Sequence, residues 1–245
     1  PQLVAGEGDD HGATAATARE FLLRLAARVG VDRRNVFAAY EDIGHFLWRE
    51  GRLPINVEPG DSRLADPTER ERLRRVFAHG LGEPVGHALP IAADERRPGR
   101  FRSTPWYLRG EQCLLVAGDS PLGYRLPLDS LPWARAEDLP WIHPPDANDE
   151  LPPLGDGDAL ADQRGARDDD DRRAAADPAP KLNESAAAVV RTAISAEARH
   201  GRLHIFMPPT SALEDYLALV SAVEDTAREL RTPVTALATG SELLL

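Results

Sequence analysis

The chain has 245 residues, enough for one large core or two small ones, with 42% hydrophobic and 6% aromatic side chains, as in a globular protein. Its net charge of −11 excludes the overall basic character of a nucleic-acid binder. No apolar run nears the roughly 18 residues of a membrane span, and the single cysteine, Cys113, excludes an internal disulfide framework or a cysteine-rich zinc site.

A reducing, cytoplasmic setting is the matching expectation. The acidity is local: residues 136–180 hold 13 Asp/Glu against 4 Arg, so the rest of the chain is nearly neutral. Arginine outnumbers lysine 28 to 1, which reads as codon bias in a GC-rich genome. The chain opens at Pro1 rather than methionine and is read as a fragment.

Residues 1–13 are glycine-rich, acidic and expected to be disordered. A module spanning 14–135 follows. Ala18, Phe21, Leu22, Leu25 and Val29 make one apolar stripe at helical spacing, with Thr17 and Glu20 at capping-box spacing and Gly30 as the stop. A second helix is predicted over 34–50, with Val36, Phe37, Tyr40, Ile43, Leu47 and Trp48 on a broad face. A third starts at Asp66-Pro67, carries Leu73, Val76, Phe77 and Leu81 inward, and ends at Gly80–Gly82.

Beyond Pro84 the pattern changes to strands, over 85–92, 106–108 and 112–116, with Arg109-Gly110-Glu111 as a hairpin turn. Residues 136–185 lose all period; their prolines, acidic run and alanines predict a disordered linker. Order returns in a unit over 186–245. Strands at 188–196 and 202–207 form a hairpin around His200-Gly201. A helix over 211–231 begins with a Ser211/Glu214 capping pair and presents Leu213, Tyr216, Leu217, Val220, Val223, Ala227 and Leu230. Pro233-Val234 opens a strand. The expected class is therefore α+β: N-terminal helices, a small antiparallel region, a linker, then a β-hairpin and a long helix.

No residue cluster amounts to a catalytic motif. Cys113 lies inside an apolar strand rather than at a helix start that would lower its pKa, so it reads as a packing cysteine. His200 and His204 are four apart, but Gly201 breaks any helix that would make them a metal pair. His79 and His87 flank a glycine-containing stretch that runs helix to strand, the reverse of a phosphate cradle. Glu41-Asp42 and Glu214-Asp215 are adjacent carboxylates that diverge by about 100° on a helix. Asp119 and Ser120, in Gly118-Asp119-Ser120-Pro121, read as turn chemistry rather than a nucleophile elbow.

Several stretches together carry a resemblance. They are Tyr40-Glu41-Asp42, LPINVEPGDSRLADPTERERLRRVFAHGLGEPVGHALP at 53–90, GDSPLGYRLPLDSLPW at 118–133 and GRLHIFMPPTSALEDYLALVSAVEDTA at 201–227. They resemble the large uncharacterised bacterial domain that follows a transglutaminase-like domain. The resemblance implies kinship with carboxylate–amine ligases, which use ATP and a divalent metal to activate a carboxylate for attack by an amine. It also implies a transglutaminase-like domain as partner and a peptide substrate.

Two family-like stretches, Glu-Val-Asn-x-His-Pro and Gly-Gly-x-Asn-His, have no counterpart here, and the sequence after Val234 departs from the family's continuation. The expectation is therefore a truncated and inactive piece of a ligase, or else a peptide- or glycan-binding module. A cysteine hydrolase acting through Cys113 is a third reading. Within the family-like segments, the polar residues beside turns that could line a cleft are Glu83, His87, Asp119, Arg125 and Asp129.

Overall fold

The computed structural model describes residues 4, 6, 8–64, 66–94, 97, 99–139, 179–210 and 212–238. Helix α1 (Ala15–Val29) buries the expected stripe of Ala18, Phe21, Leu22, Leu25 and Val29. Full burial of each large apolar side chain contributes about 1.5–3 kcal/mol. Its N-cap is Thr14 rather than Thr17: Thr14 accepts from the Thr17 backbone and Thr17 reciprocates, a capping box one turn earlier than expected. Gly30 closes the helix at φ 80°, the left-handed conformation glycine adopts without strain.

The helix expected over 34–50 is divided. Strand β1 (Phe37–Glu41) occupies its first half, and helix α2 (Ile43–Glu50) its second, with Asp42 capping the His45 N–H at 3.1 Å. Phe-Ala-Ala-Tyr-Glu suits either state locally. It becomes a strand because partners flank it on both sides, and tertiary pairing outweighs propensity. Helix α3 (Pro67–His79) starts as expected at Asp66, which caps the Thr68 and Glu69 N–H groups. Leu73 and Val76 bury against Phe46 of α2 in a small satellite core.

Strand β2 (Gly86–Pro90) falls inside the predicted run. It is followed by β3 (Ala92–Ala93) and β4 (Phe101–Arg102), which pair only with each other. Residues 106–108 are not a strand, and Arg109–Glu111 is a 3-10 turn rather than a hairpin. The reason is that strand β5 (Cys113–Leu115) pairs parallel with β1, not with the segment before it.

Strands β6 (Ala193–Arg199) and β7 (Arg202–Met207) form the expected hairpin, with β6 starting five residues later than predicted. His200 at φ 51° and Gly201 at φ 69° make the two-residue left-handed turn that suits a twisted hairpin. Helix α4 (Leu213–Leu230) leads to β8 (Val234–Ala238), and the crossover makes β8 parallel to β7. Ser211, and with it the predicted capping pair, lies outside the described residues. The α4 face is also rotated from expectation: Ala218, Leu219, Ala222, Val223, Thr226 and Ala227 are buried, while Leu213 is half exposed.

All six main strands share one sheet in the order β5-β1-β2-β6-β7-β8. Helices α1 and α4 cover one face, meeting Leu89, Ile194, Ala196, Leu203, Ile205, Met207 and Val234 in the main core. Arg28 ties the two helices, bonding Glu229 at 2.5 Å and Thr226 Oγ1 at 3.2 Å. The N-terminal stretch is held to the hairpin, His11 and Ala13 both donating backbone N–H to the Gly201 carbonyl. Most of the predicted linker, residues 140–178, lies outside the described residues. Its two ends meet: Ala186 N–H donates to the Trp133 carbonyl at 2.9 Å and Arg135 N–H to Ser185 Oγ at 3.0 Å.

Close approach at Gly86 sets the β2–β6 contact, since a Cβ there would lie 2.4 Å from the Ala196 carbonyl oxygen and 2.7 Å from Leu122 Cδ1. Gly86→Ala is expected to destabilise the fold by about 2 kcal/mol, read as a lower urea midpoint at constant m-value. An unchanged midpoint would show that the strands part to admit a methyl group at no cost.

Candidate functional site

The sheet face opposite α1 and α4 carries the polar side chains of the hairpin. Strand alternation sends Ile194 and Ala196 to the helices and Ser195 and Glu197 to the other side. On β7, His204 lies opposite the buried pair Leu203 and Ile205. Register sets Glu197, His204 and Thr235 side by side across β6, β7 and β8.

A strap formed by residues 116–131 crosses this face and is tied down by charge. The Glu197 carboxylate accepts from Leu122 N–H at 3.0 Å and from Arg199 Nε at 2.7 Å. Arg199 also donates to the carbonyls of Asp119, at 3.1 Å, and Ser120, at 3.0 Å. Farther along, Arg125 forms a buried ion pair with Glu41 of β1 and donates to the Val116 carbonyl at 2.7 Å. Gly123 lets the strap lie on Phe206, whose ring a Cβ would overlap at 2.1 Å, and Tyr124 meets the same ring edge-on with centroids 4.6 Å apart.

Beside the strap, four buried side-chain atoms have no hydrogen-bond partner: Ser195 Oγ, Arg202 Nε, His204 Nε2 and Thr235 Oγ1. Each can donate a hydrogen bond, and an unpaired buried donor costs about 1–3 kcal/mol. Burial first, and the nearby Arg202 second, lower the His204 pKa against the opposing pull of Glu197, so its ring is neutral at pH 7. This row of donors suits a ligand rich in oxygen acceptors, such as a carboxylate or a peptide carbonyl.

The five residues expected to line a cleft do not converge. Arg125 is the buried strap anchor, Asp119 is an exposed partner of Arg75 at 2.7 Å, and Asp129 is exposed in the turn Leu128–Ser130. Glu83 is exposed in the turn before β2. His87 points to the helix-covered face, buried, with Nδ1 unpartnered and its pKa pushed down to about 4 by burial and then by Arg19. Cys113 is buried and its thiol is pushed up to about 12, so it is no nucleophile at neutral pH. His200 is exposed in the hairpin turn while His204 is turned inward.

Ser195, Arg202 and Thr235 were not singled out from sequence. The signal for the row is the alternation of polar and apolar residues in Ser-Ala-Glu-Ala-Arg and Arg-Leu-His-Ile-Phe, a one-sided polar face.

A divalent metal of the kind that ligation chemistry uses needs several oxygen ligands converging on one point. Among the described residues no group of three or more His, Cys, Asp or Glu side chains could hold one. The carboxylates under the strap, Glu41 and Glu197, are already held by arginines and a backbone N–H. The residues described do not fit a metal centre.

The family model described as "Putative amidoligase enzyme (DUF2126)" matches residues 1–238. The chain belongs to this amidoligase-like family. The match runs past Val234, where the sequence reading placed a departure from the family, and β8 spans the same residues. No curated protein and no solved structure matches the chain. Among the described residues of this DUF2126 chain, no helix is long and apolar enough to cross a membrane.

Two measurements test the architecture of the site. Arg125→Met leaves the Glu41 carboxylate buried without its partner and is expected to cost about 3–5 kcal/mol. The double variant Glu41→Gln/Arg125→Met should recover part of that loss in urea unfolding, and equal losses would mean that the charge pair is not what holds the strap.

The second concerns pH. The folded state keeps His87 neutral down to about pH 4, whereas the unfolded side chain takes up its proton near 6.5. The unfolded state therefore binds more protons in that window, and stability falls as pH drops from 6.5 towards 4. A His87→Phe variant should show a shallower fall than wild type. Parallel curves would refute the assignment.

Proposed function

We propose that this domain takes part in ATP-dependent carboxylate–amine ligation and that the strap-crossed sheet face receives the carboxylate-bearing substrate. The observation that carries the ligation reading is the family match over residues 1–238. The unpartnered Ser195 Oγ, Arg202 Nε, His204 Nε2 and Thr235 Oγ1 support this face as the substrate side, because a carboxylate or peptide carbonyl supplies the acceptors these atoms lack. Neutral His204 offers one N–H and one lone pair, so it can orient an acceptor without adding charge. Following the resemblance in the sequence, the domain works beside a transglutaminase-like domain, and its carboxylate comes from a peptide.

One observation favours a second reading, a peptide-binding module without turnover. The described carboxylates near the face are compensated by arginines, and no described cluster offers a metal site. The two readings separate in one assay. The chain is incubated with Mg·ATP, a short acidic peptide and an alkylamine, and ADP and amide product are followed. Ligation predicts ADP release that needs both co-substrates, with His204→Ala/Thr235→Val raising the KM for peptide at least tenfold. Peptide binding with no nucleotide binding or turnover would overturn the ligase reading and leave the binding module.

A further inference from the structure

At the β5 edge of the sheet, away from the polar row, a cavity of about 310 Å³ is lined by Phe37, Tyr40, Trp106, Leu108, Glu111 and Gln112, among others. Three of the eight lining residues are aromatic, Phe37 and Tyr40 alternating to opposite faces of β1. Phe37 and Trp106 pack with ring centroids 5.3 Å apart at 34°, and the Trp106 indole N–H is fixed on the Val190 carbonyl at 2.7 Å. The tryptophan is thus anchored from a distant segment.

Glu111 is the unusual member. It sits at φ 58°, directly after Gly110 at φ 74°. A left-handed conformation strains a side chain such as glutamate, a cost glycine would not incur. Several exposed carboxylates on this chain are held by arginines, as in Asp32–Arg34, Asp61–Arg63 and Glu71–Arg74, while others, such as Glu83 and Asp129, are not. The Glu111 carboxylate has no hydrogen bond or ion pair among the described residues, the nearby Arg109 included. The cavity lining contains no cationic side chain and, with Cys113 held as a thiol, no nucleophile. Electron-rich rings beside an unpaired carboxylate attract an organic cation through cation–π contact and charge.

We propose that this cavity binds the ammonium end of an alkylamine or of a lysine side chain, with Glu111 as counter-charge and the packed pair Phe37 and Trp106 as its aromatic lining. The site is distinct from the donor row, and the inference stands independently of the ligation reading.

The test compares n-butylammonium with n-pentanol, a neutral molecule of similar shape, on the full chain. Binding is read from the Trp106 indole resonance and by calorimetry. Butylammonium should bind at least tenfold more tightly than pentanol and shift the Trp106 signal. Glu111→Gln should weaken butylammonium at least fivefold while leaving pentanol unchanged. That variant removes no intramolecular partner and keeps the same backbone demand, and near-ultraviolet circular dichroism reports its fold. If the variant fails to fold, the comparison of the two ligands on the wild-type chain still decides. Equal affinity for the two ligands, absence of butylammonium binding, or a folded Glu111→Gln protein with unchanged affinity would each overturn the proposal.

Discussion

The pairing of β2 with β6 holds this molecule together. It aligns Gly86–Pro90 with 193–197, joining segments about a hundred residues apart, and it is the seam between the strands before the acidic segment and those after it. The three strands on the N-terminal side, β5-β1-β2, and the three on the C-terminal side, β6-β7-β8, each end in a parallel edge pair. Neither trio would bury both its faces alone, whereas a shared sheet lets α1 and α4 cover strands from both sides of the seam.

The same seam is matched at the two ends of the acidic segment. Its ends are pinned to each other by the Ala186–Trp133 and Arg135–Ser185 hydrogen bonds.

Charge compensation divides the molecule into two kinds of place. Under the strap, Glu41, Glu197, Arg125 and Arg199 satisfy one another, and breaking one partner exposes the desolvation cost of the other. Elsewhere the compensation stops: Ser195 Oγ, Arg202 Nε, His204 Nε2 and Thr235 Oγ1 on the sheet face, and the exposed carboxylate of Glu111 beside its cavity, are left open. The two places differ in sense, one offering donors and the other a negative charge, so they select ligands of opposite character.

What the sequence by itself determined was local. The α1 stripe, the Asp66 cap of α3 and the His200-Gly201 turn depend on neighbours a few residues away, and each is where the sequence put it. The family, too, was legible in runs long enough to be specific. The tertiary structure decided what depends on distant partners. Residues 37–41 have the spacing of a helix and become a strand because β2 and β5 lie beside them. Arg125 and His87 look alike in sequence, each a polar residue near a turn, yet one anchors the strap on one face of the sheet and the other is buried under α1 on the opposite face. The donor row needs the β7–β8 register, and the Glu111 cavity needs a tryptophan held by Val190. Such contacts join residues far apart in the chain, and short-range periodicity carries no record of them.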